Sequence, residues 1–256
     1  MLTNVDVKTR VADFLGIDRT DSTLDGYIQN WENDTIREIN SEEDWPYLYG
    51  ERVTQGVPDK TSGTVNLTKG SGTVNGVGTN FELQDAGQKI QFSGSDDWYR
   101  VISVANSTSL QINPGYGQST ANGLTYTLRH FYYELDQDLE TVISARQDIS
   151  PIKIVSIHFR NFDLQLPNGD ATGSPQVMYL FGRVNGNLRA SLYPYADSVM
   201  NIWLRGKLRS ADLTADGAEP LIPDEFRTVI VDGSIYRGML HLNDARSTNH
   251  KLIYEA

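Results

Sequence analysis

Apolar positions recur at helical steps in the first 45 residues and alternate two by two afterwards. Leu24, Ile28, Trp31, Thr35 and Ile39 are spaced by three and four, so they share one face of a helix over residues 22–45. Ser22 is placed to cap its first turn. Asp25 follows three residues on, where an acid suits the free amides and the helix dipole. Pro46 disfavours a helical Trp45, so the helix should end there. A shorter helix, 4–15, precedes it, with Val7, Val11, Phe14 and Leu15 as its stripe and Gly16 as its stop. The two form an αα-hairpin.

From 61 to 129 the period changes to that of strands. Segments 64–68, 72–76, 89–92, 98–104, 109–113 and 124–128 alternate apolar and polar residues, with turn residues between them. Gly-Thr-Val-Asn occurs at 63 and again at 72, which suits two paired strands. This predicts a compact all-β module of about six strands, a small barrel or sandwich, inserted between 54–60 and 129–134 with its ends close together. After 130 the interrupted domain resumes with strands at 139–145, 152–159, 176–181, 188–193 and 198–206. A helix over 224–242 closes it, Phe226, Ile230, Ser234 and Arg237 or Gly238 following its step and Pro223 in its first turn. Residues 243–256 are polar and expected to be extended or mobile when alone. The fold class is therefore α+β, with a core of 1–60 and 130–256 interrupted by a β-module at 61–129.

At 256 residues the chain can bury a sizeable core, and 39% hydrophobic with 21% charged residues marks it as globular. With no Cys, disulfides, thiolate metal sites and cysteine nucleophiles are excluded. There is no apolar run of about 18 residues for a membrane span. Residues 1–10 lack an apolar signal-peptide core. The net charge of −11 is uneven: residues 1–60 carry −7, 61–129 zero, 130–170 −4, 171–210 +4 and 211–256 −4. Such an acidic chain is not built to grip nucleic acid, although an acidic wall lets DNA pass without sticking.

No catalytic constellation, cofactor site or metal site is expected. His130, His158, His241 and His250 lack ligand spacing, and His158 reads as a structural histidine in a strand. The Gly70–Gly78 run lacks the ending of a phosphate loop. Glu42, Glu43 and Asp44 read as a solvated face, since adjacent helical residues point in different directions. The aromatics Tyr47, Tyr49, Phe131, Tyr132, Tyr133, Tyr193 and Tyr195 fall at element ends, which fits either the rim of a core or a subunit interface.

Four short motifs stand in order. They are Asp44-Trp45-Pro46-Tyr47-Leu48, Thr172-Gly173-Ser174-Pro175 leading into a strand, Leu192-Tyr193-Pro194-Tyr195 with Asp197, and Leu221-Ile222-Pro223-Asp224-Glu225-Phe226. Together with the helical hairpin they resemble phage head–tail connector adaptor proteins, over residues 1–60 and 130–242. Tyr195 stands where that family has a second proline. Residues 61–129 lie outside the core pattern and resemble a small β-module seen inserted in phage structural proteins.

The resemblance implies a structural virion protein and not an enzyme. It would form a ring, usually of twelve copies, assembled in the host cytoplasm, that docks on the portal protein and receives tail tube, nozzle or fibre proteins. DNA would pass through the ring without stable binding, and no membrane would be involved. Trp31, Trp45, Tyr47, Tyr193, Tyr195, Arg205, Lys207, Arg209, His250 and Lys251 are candidates for subunit or partner interfaces. Asp25, Glu32, Glu38, Glu42 and Glu43 are candidates for a lumen face or a face toward a basic partner. The +4 segment would meet the −7 segment of a neighbour, and the tail 243–256 would order on a portal or tail partner. The alternatives are another virion part, such as a tail-tube, head-completion or hub protein, or a β-type carbohydrate-binding module with Trp98, Tyr99 and Tyr116 as its sugar platform.

Overall fold

The computed structural model describes residues 2–147, 150–156 and 171–254. It is an α+β protein that divides into two compact units: unit 1 is Met1–Gly50 with Lys207–Ala256, and unit 2 is Glu51–Gly206.

Unit 1 is helical. Helix α1, Asn4–Leu15, runs as expected, and Gly16 ends it in the left-handed conformation (φ 69°) that favours glycine. Helix α2 is Ser22–Glu42. Its cap is Asp21 rather than Ser22, the carboxylate accepting from the Thr23 and Leu24 amides at 2.8 and 3.3 Å. It stops three residues before the expected Trp45. Glu43 and Asp44 would put two acids at the negative end of the helix dipole, and the Trp45 indole donates to the Ile39 carbonyl at 2.6 Å, capping the last turn from outside. Pro46–Leu48 then make a 3₁₀ turn.

The closing helix expected over 224–242 is split into a 3₁₀ turn, Asp224–Phe226, and helix α3, Thr228–His241. Phe226, expected to follow the step of that helix, is 57% exposed. The tail expected to be extended holds a further helix, α4, Ser247–Tyr254, because tertiary contacts hold it: His250 is buried against Phe14 and the Tyr254 ring stacks on Tyr236. The helical core gathers Val7, Val11, Ile28, Ile36, Ile230 and Ile235, with Leu213 and Ile222 from the connecting segment. Helices α2 and α3 pack so closely that a Cβ on Gly233 would stand 2.4 Å from Thr35 Cγ2, and one on Gly238 2.9 Å from Trp31 Cζ3.

Unit 2 is built from two seven-stranded sheets among the described residues. The strands of the first are β1 (Tyr49–Gly56), β9 (Tyr133–Glu134), β10 (Leu139–Gln147), β11 (Ser150–Ser156), β12 (Val177–Val184), β13 (Asn187–Tyr193) and β14 (Met200–Leu208). Their order is β1-β14-β10-β11-β12-β13-β9, with β11 and β12 parallel. Strands β1 and β9 are additional to those expected. Residues 157–159 of the expected strand 152–159, His158 among them, lie outside the described residues.

The second sheet comprises β2 (Thr64–Leu67), β3 (Thr73–Val77), β4 (Lys89–Phe92), β5 (Trp98–Asn106), β6 (Ser109–Asn113), β7 (Ala121–Leu124) and β8 (Tyr126–Arg129), in the order β7-β2-β3-β6-β5-β4-β8. Its two outermost strands are neighbours in sequence, separated by Thr125 alone, so the sheet curls toward closure and hides its edges. The repeated tetrapeptides pair, with Asn66 opposite Asn75. Its strands turn residues inward to one core that includes Val65, Phe92, Tyr99, Leu110, Tyr116 and Leu128, with Leu124 of β7 packed against it.

The start and end of this second sheet are bonded to each other. Lys60 and Leu128 exchange backbone hydrogen bonds at 2.9 Å, and the Arg129 guanidinium grips Asp59 through Nε and Nη2 at 2.9 and 2.7 Å.

Candidate docking surfaces

An apolar cleft of about 810 Å³ opens in unit 1, with Ile39, Trp45, Tyr47, Phe226, Val229 and Tyr254 among its walls. Its geometry follows from Pro46. The chain leaves α2 at Trp45 in extended conformation (φ −63°, ψ 133°), which turns Trp45 and Tyr47 to the same side, their rings 6.0 Å apart and stacked. The Tyr47 hydroxyl donates to Asn40 Oδ1 at 2.9 Å, and burial pushes that phenol up to about 12. Opposite, Phe226 and Val229 are 57% and 37% exposed. Glu42 lines the cleft, and Glu43, Asp44, Asp224 and Glu225, all exposed, adjoin its wall residues in sequence. Unit 1 as a whole has 10 basic and 19 acidic residues, a net charge of −9, against 12 and 14 in unit 2, a net of −2.

The other expected residues divide by burial. Trp31, Tyr195 and His250 are 8%, 3% and 8% exposed. Trp31 packs against the Tyr27 and His241 rings, Tyr195 against Phe131 and Arg129. Burial withdraws all three from the expected interface set. Tyr193 is half-buried beside Tyr179, while Arg209 and Lys251 are exposed.

The basic and acidic segments expected to meet between neighbours already touch within one chain. Lys207 pairs with Asp44 at 3.0 Å, and Arg205 with Glu51 at 2.8 Å.

Among the expected acids, Glu42 and Glu43 are exposed. Glu38 holds Arg237 and accepts from the Tyr254 hydroxyl at 2.9 Å; burial and that bond raise the Tyr254 pKa. Asp25 is half-buried between Lys8 (2.6 Å) and Arg19 (2.9 Å). Burial pushes its pKa up, but the two cations outweigh that and lower it. Glu32 is no surface acid at all. It is 0% exposed, neither carboxylate oxygen has a partner, and burial lifts it to about 8 against the opposing pull of Lys8.

Three polar knots that sequence reasoning missed hold these surfaces. Arg227, 7% exposed, donates to the carbonyls of Ile222, Pro220 and Leu2 at 2.9, 3.1 and 2.8 Å, and so fixes the segment that carries Phe226. Asn33 clasps Leu213, its side-chain amide donating to the Leu213 carbonyl at 3.2 Å and its Oδ1 accepting from the Leu213 amide at 2.8 Å. In unit 2, Asp85 is 0% exposed and takes Lys60 Nζ at 2.9 Å, His130 Nε2 at 2.9 Å and the Glu82 amide at 2.8 Å. Burial would raise the Asp85 pKa, yet His130, the Glu82 amide and Lys60 together lower it.

His130, Gln88 and Tyr132 also line a polar cleft of about 520 Å³, where Gln88 spans both backbone groups of Tyr132 at 2.7 and 3.2 Å. His130 there is bonded to Asp85. Among the described residues no group of three His, Asp or Glu is placed to hold a metal, and no helix is long and apolar enough to cross a membrane. Of the residues that the carbohydrate-binding alternative would need on a platform, Tyr99 and Tyr116 are 3% and 4% exposed in the β-core, and Trp98 stacks edge-on against Phe131.

Two of the ordered motifs meet. The Gly173 amide donates to the Tyr195 carbonyl at 2.8 Å, and the Tyr195 amide to Ala171 at 2.9 Å, so Thr172–Pro175 lies beside the Leu192–Tyr195 turn. Residues 3–256 match the model of the SU10 adaptor protein family. The chain belongs to the SU10 adaptor protein family. This adaptor is thus a phage structural protein and a component of the virion. No curated protein matches it.

Proposed function

We propose that this adaptor forms the head-to-tail ring beneath the portal, usually of twelve copies, joining capsid to tail and leaving a channel for DNA. The match of residues 3–256 to an adaptor family carries this reading. A net charge of −9 on unit 1 supports it, because an acidic surface beside a channel repels phosphates and lets DNA slide. Residues 61–129 act as a module inserted into a core of 1–60 and 130–256. The separate β-core and the bonded neck at Lys60, Leu128, Asp59 and Arg129 support that division.

The test is light scattering of the full chain, alone and with purified portal rings, followed by imaging of virions carrying a labelled copy. A ring-sized species on the portal, with label at the tail vertex, is expected. A chain that ignores portal rings and labels the tail tip or the capsid faces overturns the reading in favour of another virion part.

A further inference from the structure

The apolar cleft of unit 1 carries carboxylates that no cation of the chain answers. Among the described residues Glu42 is the one charged side chain on its walls. Glu43 follows it directly, and Glu225 directly precedes Phe226 of the opposite wall. All three acids are exposed, and none forms an ion pair or a side-chain hydrogen bond among the described residues. The cations next to the walls are already matched: Lys207 pairs with Asp44 at 3.0 Å, Arg227 with Glu219 at 3.2 Å, and Arg237 with Glu38. Helix α2 also ends at Glu42 without a basic residue in its last turn, so the negative end of its dipole falls at the cleft uncompensated.

The walls come from the end of α2, residues 45–47, residues 222–226, the start of α3 and the end of α4, and no strand contributes to them. An occupant is therefore held by side chains in an apolar groove and not by backbone pairing to an open sheet edge. About 810 Å³ takes several large side chains, which suits one face of a helix with apolar residues three and four apart. Trp45 and Tyr47 are of the residue types that concentrate at binding hot spots. A second copy of this chain has the wrong sign for the acidic margin, since its units carry −9 and −2.

We propose that the cleft of unit 1 receives a basic amphipathic helix of a different virion protein. Its apolar stripe fills the groove, and Lys or Arg residues flanking the stripe meet Glu42, Glu43 and Glu225. The stripe supplies most of the affinity. The charges fix orientation and reject acidic segments, this chain's own included. The inference concerns the kind of partner and stands whether or not the chain closes into a ring.

The probe is a dye-labelled peptide of about 18 residues, beyond the length at which isolated helices are marginal, with Leu at steps of three and four and Lys elsewhere. Two companions match its length. One has Glu in place of every Lys; the other keeps the composition but scrambles the order, so that no stripe forms. Binding to the full chain is read by fluorescence anisotropy. The basic striped peptide is expected to bind at least about tenfold tighter than either companion. Phe226→Ser, and Glu42→Lys with Glu43→Lys, all at exposed positions, should each weaken it at least about fivefold with circular dichroism unchanged. Leu83→Ser, exposed in the β-module, should leave binding as it was. Absence of saturable binding overturns the proposal. Equal binding of the scrambled peptide does so too, by reducing the effect to bulk charge, and equal binding of the Glu peptide removes the basic requirement. Binding indifferent to the cleft substitutions places the peptide elsewhere. Light scattering of the peptide-free chain closes the test: self-association that Phe226→Ser abolishes assigns the cleft to a second copy and overturns the basic partner.

Discussion

Glu32 in unit 1 and Asp85 in unit 2 are equally buried, at 0% exposure, and their environments drive them in opposite directions. Asp85 has an ammonium, an imidazole and a backbone amide on its oxygens, and its pKa is lowered although burial opposes this. Glu32 has no partner on either oxygen, and burial takes it to about 8. Burial sets the desolvation cost of a charge, and partners decide whether the charge is kept. In unit 2 the kept charge ties Lys60, ahead of the second sheet, to His130, just after it. In unit 1 the carboxyl is neutral at pH 7 and behaves as a polar filler among helices.

The largest way to break this contrast is to remove the paired acid. Asp85→Ala leaves Lys60 with Glu82 alone and strands the buried His130. The expected loss is roughly 3–5 kcal/mol, the usual result of orphaning one side of a buried ion pair. Urea unfolding checks it, and a loss below about 1 kcal/mol would mean the knot is dispensable.

The second test uses pH, and the two acids carry opposite signs. Asp85 binds its proton less well folded than unfolded, so its contribution is present above the ordinary Asp pKa of 3.8 and is lost in acid. Glu32 binds its proton better when folded. Its favourable contribution is full below the ordinary Glu pKa of 4.5 and is lost as pH rises through about 8. Between pH 5 and pH 9 the wild-type chain should lose roughly 2–4 kcal/mol through Glu32. Glu32→Gln should flatten that slope, and an unchanged slope in the variant would show that Glu32 is solvated or paired in solution.

Sequence periodicity made the helices and most strands legible, because faces repeat locally. The stripe at Ile28, Trp31 and Thr35 is buried as expected. Glu32 lies four residues after Ile28 and four before Ile36, so the same period that placed Ile28 inside could have placed Glu32 there. Its acidic character hid it. Asp85 was illegible for another reason: its partners Lys60 and His130 are 25 and 45 residues away, and nothing local announces them. Helix α4 escaped because its stability is tertiary, resting on Phe14 and Tyr236. The Trp45–Pro46–Tyr47 wall of the cleft was visible as a motif. Its opposite wall was not, because Phe226 fits a helical stripe and yet faces outward, pinned by Arg227.

A smaller test concerns an acid whose partners are backbone amides. Asp21 is exposed and caps α2 through Thr23 and Leu24. Asp21→Ala should cost about 1 kcal/mol, as cap removals do. Thermal unfolding would register this as a shift of a few degrees. Asp21→Ser should recover most of it, since a hydroxyl oxygen can accept the same amide bonds. Full loss in both variants would show that the charge on the helix dipole, and not the bond, supplies the effect.

The least effect on stability is expected at the surface end of the same scale. Asp44 pairs with Lys207 at 3.0 Å, but its side chain is 75% exposed and water already solvates it well. Asp44→Asn should change the unfolding free energy by no more than about 0.5 kcal/mol, and less still at high salt. The sequence had assigned such charges to contacts between neighbours, and the chain satisfies this one internally. Its value as a measurement lies in that coincidence. If Asp44→Asn leaves stability untouched and also leaves self-association untouched, the Asp44–Lys207 pair merely neutralises charge within one copy. If stability is untouched while self-association rises, the pair competes with a neighbour for Lys207, and exposed ion pairs on this chain then govern assembly while buried ones govern folding.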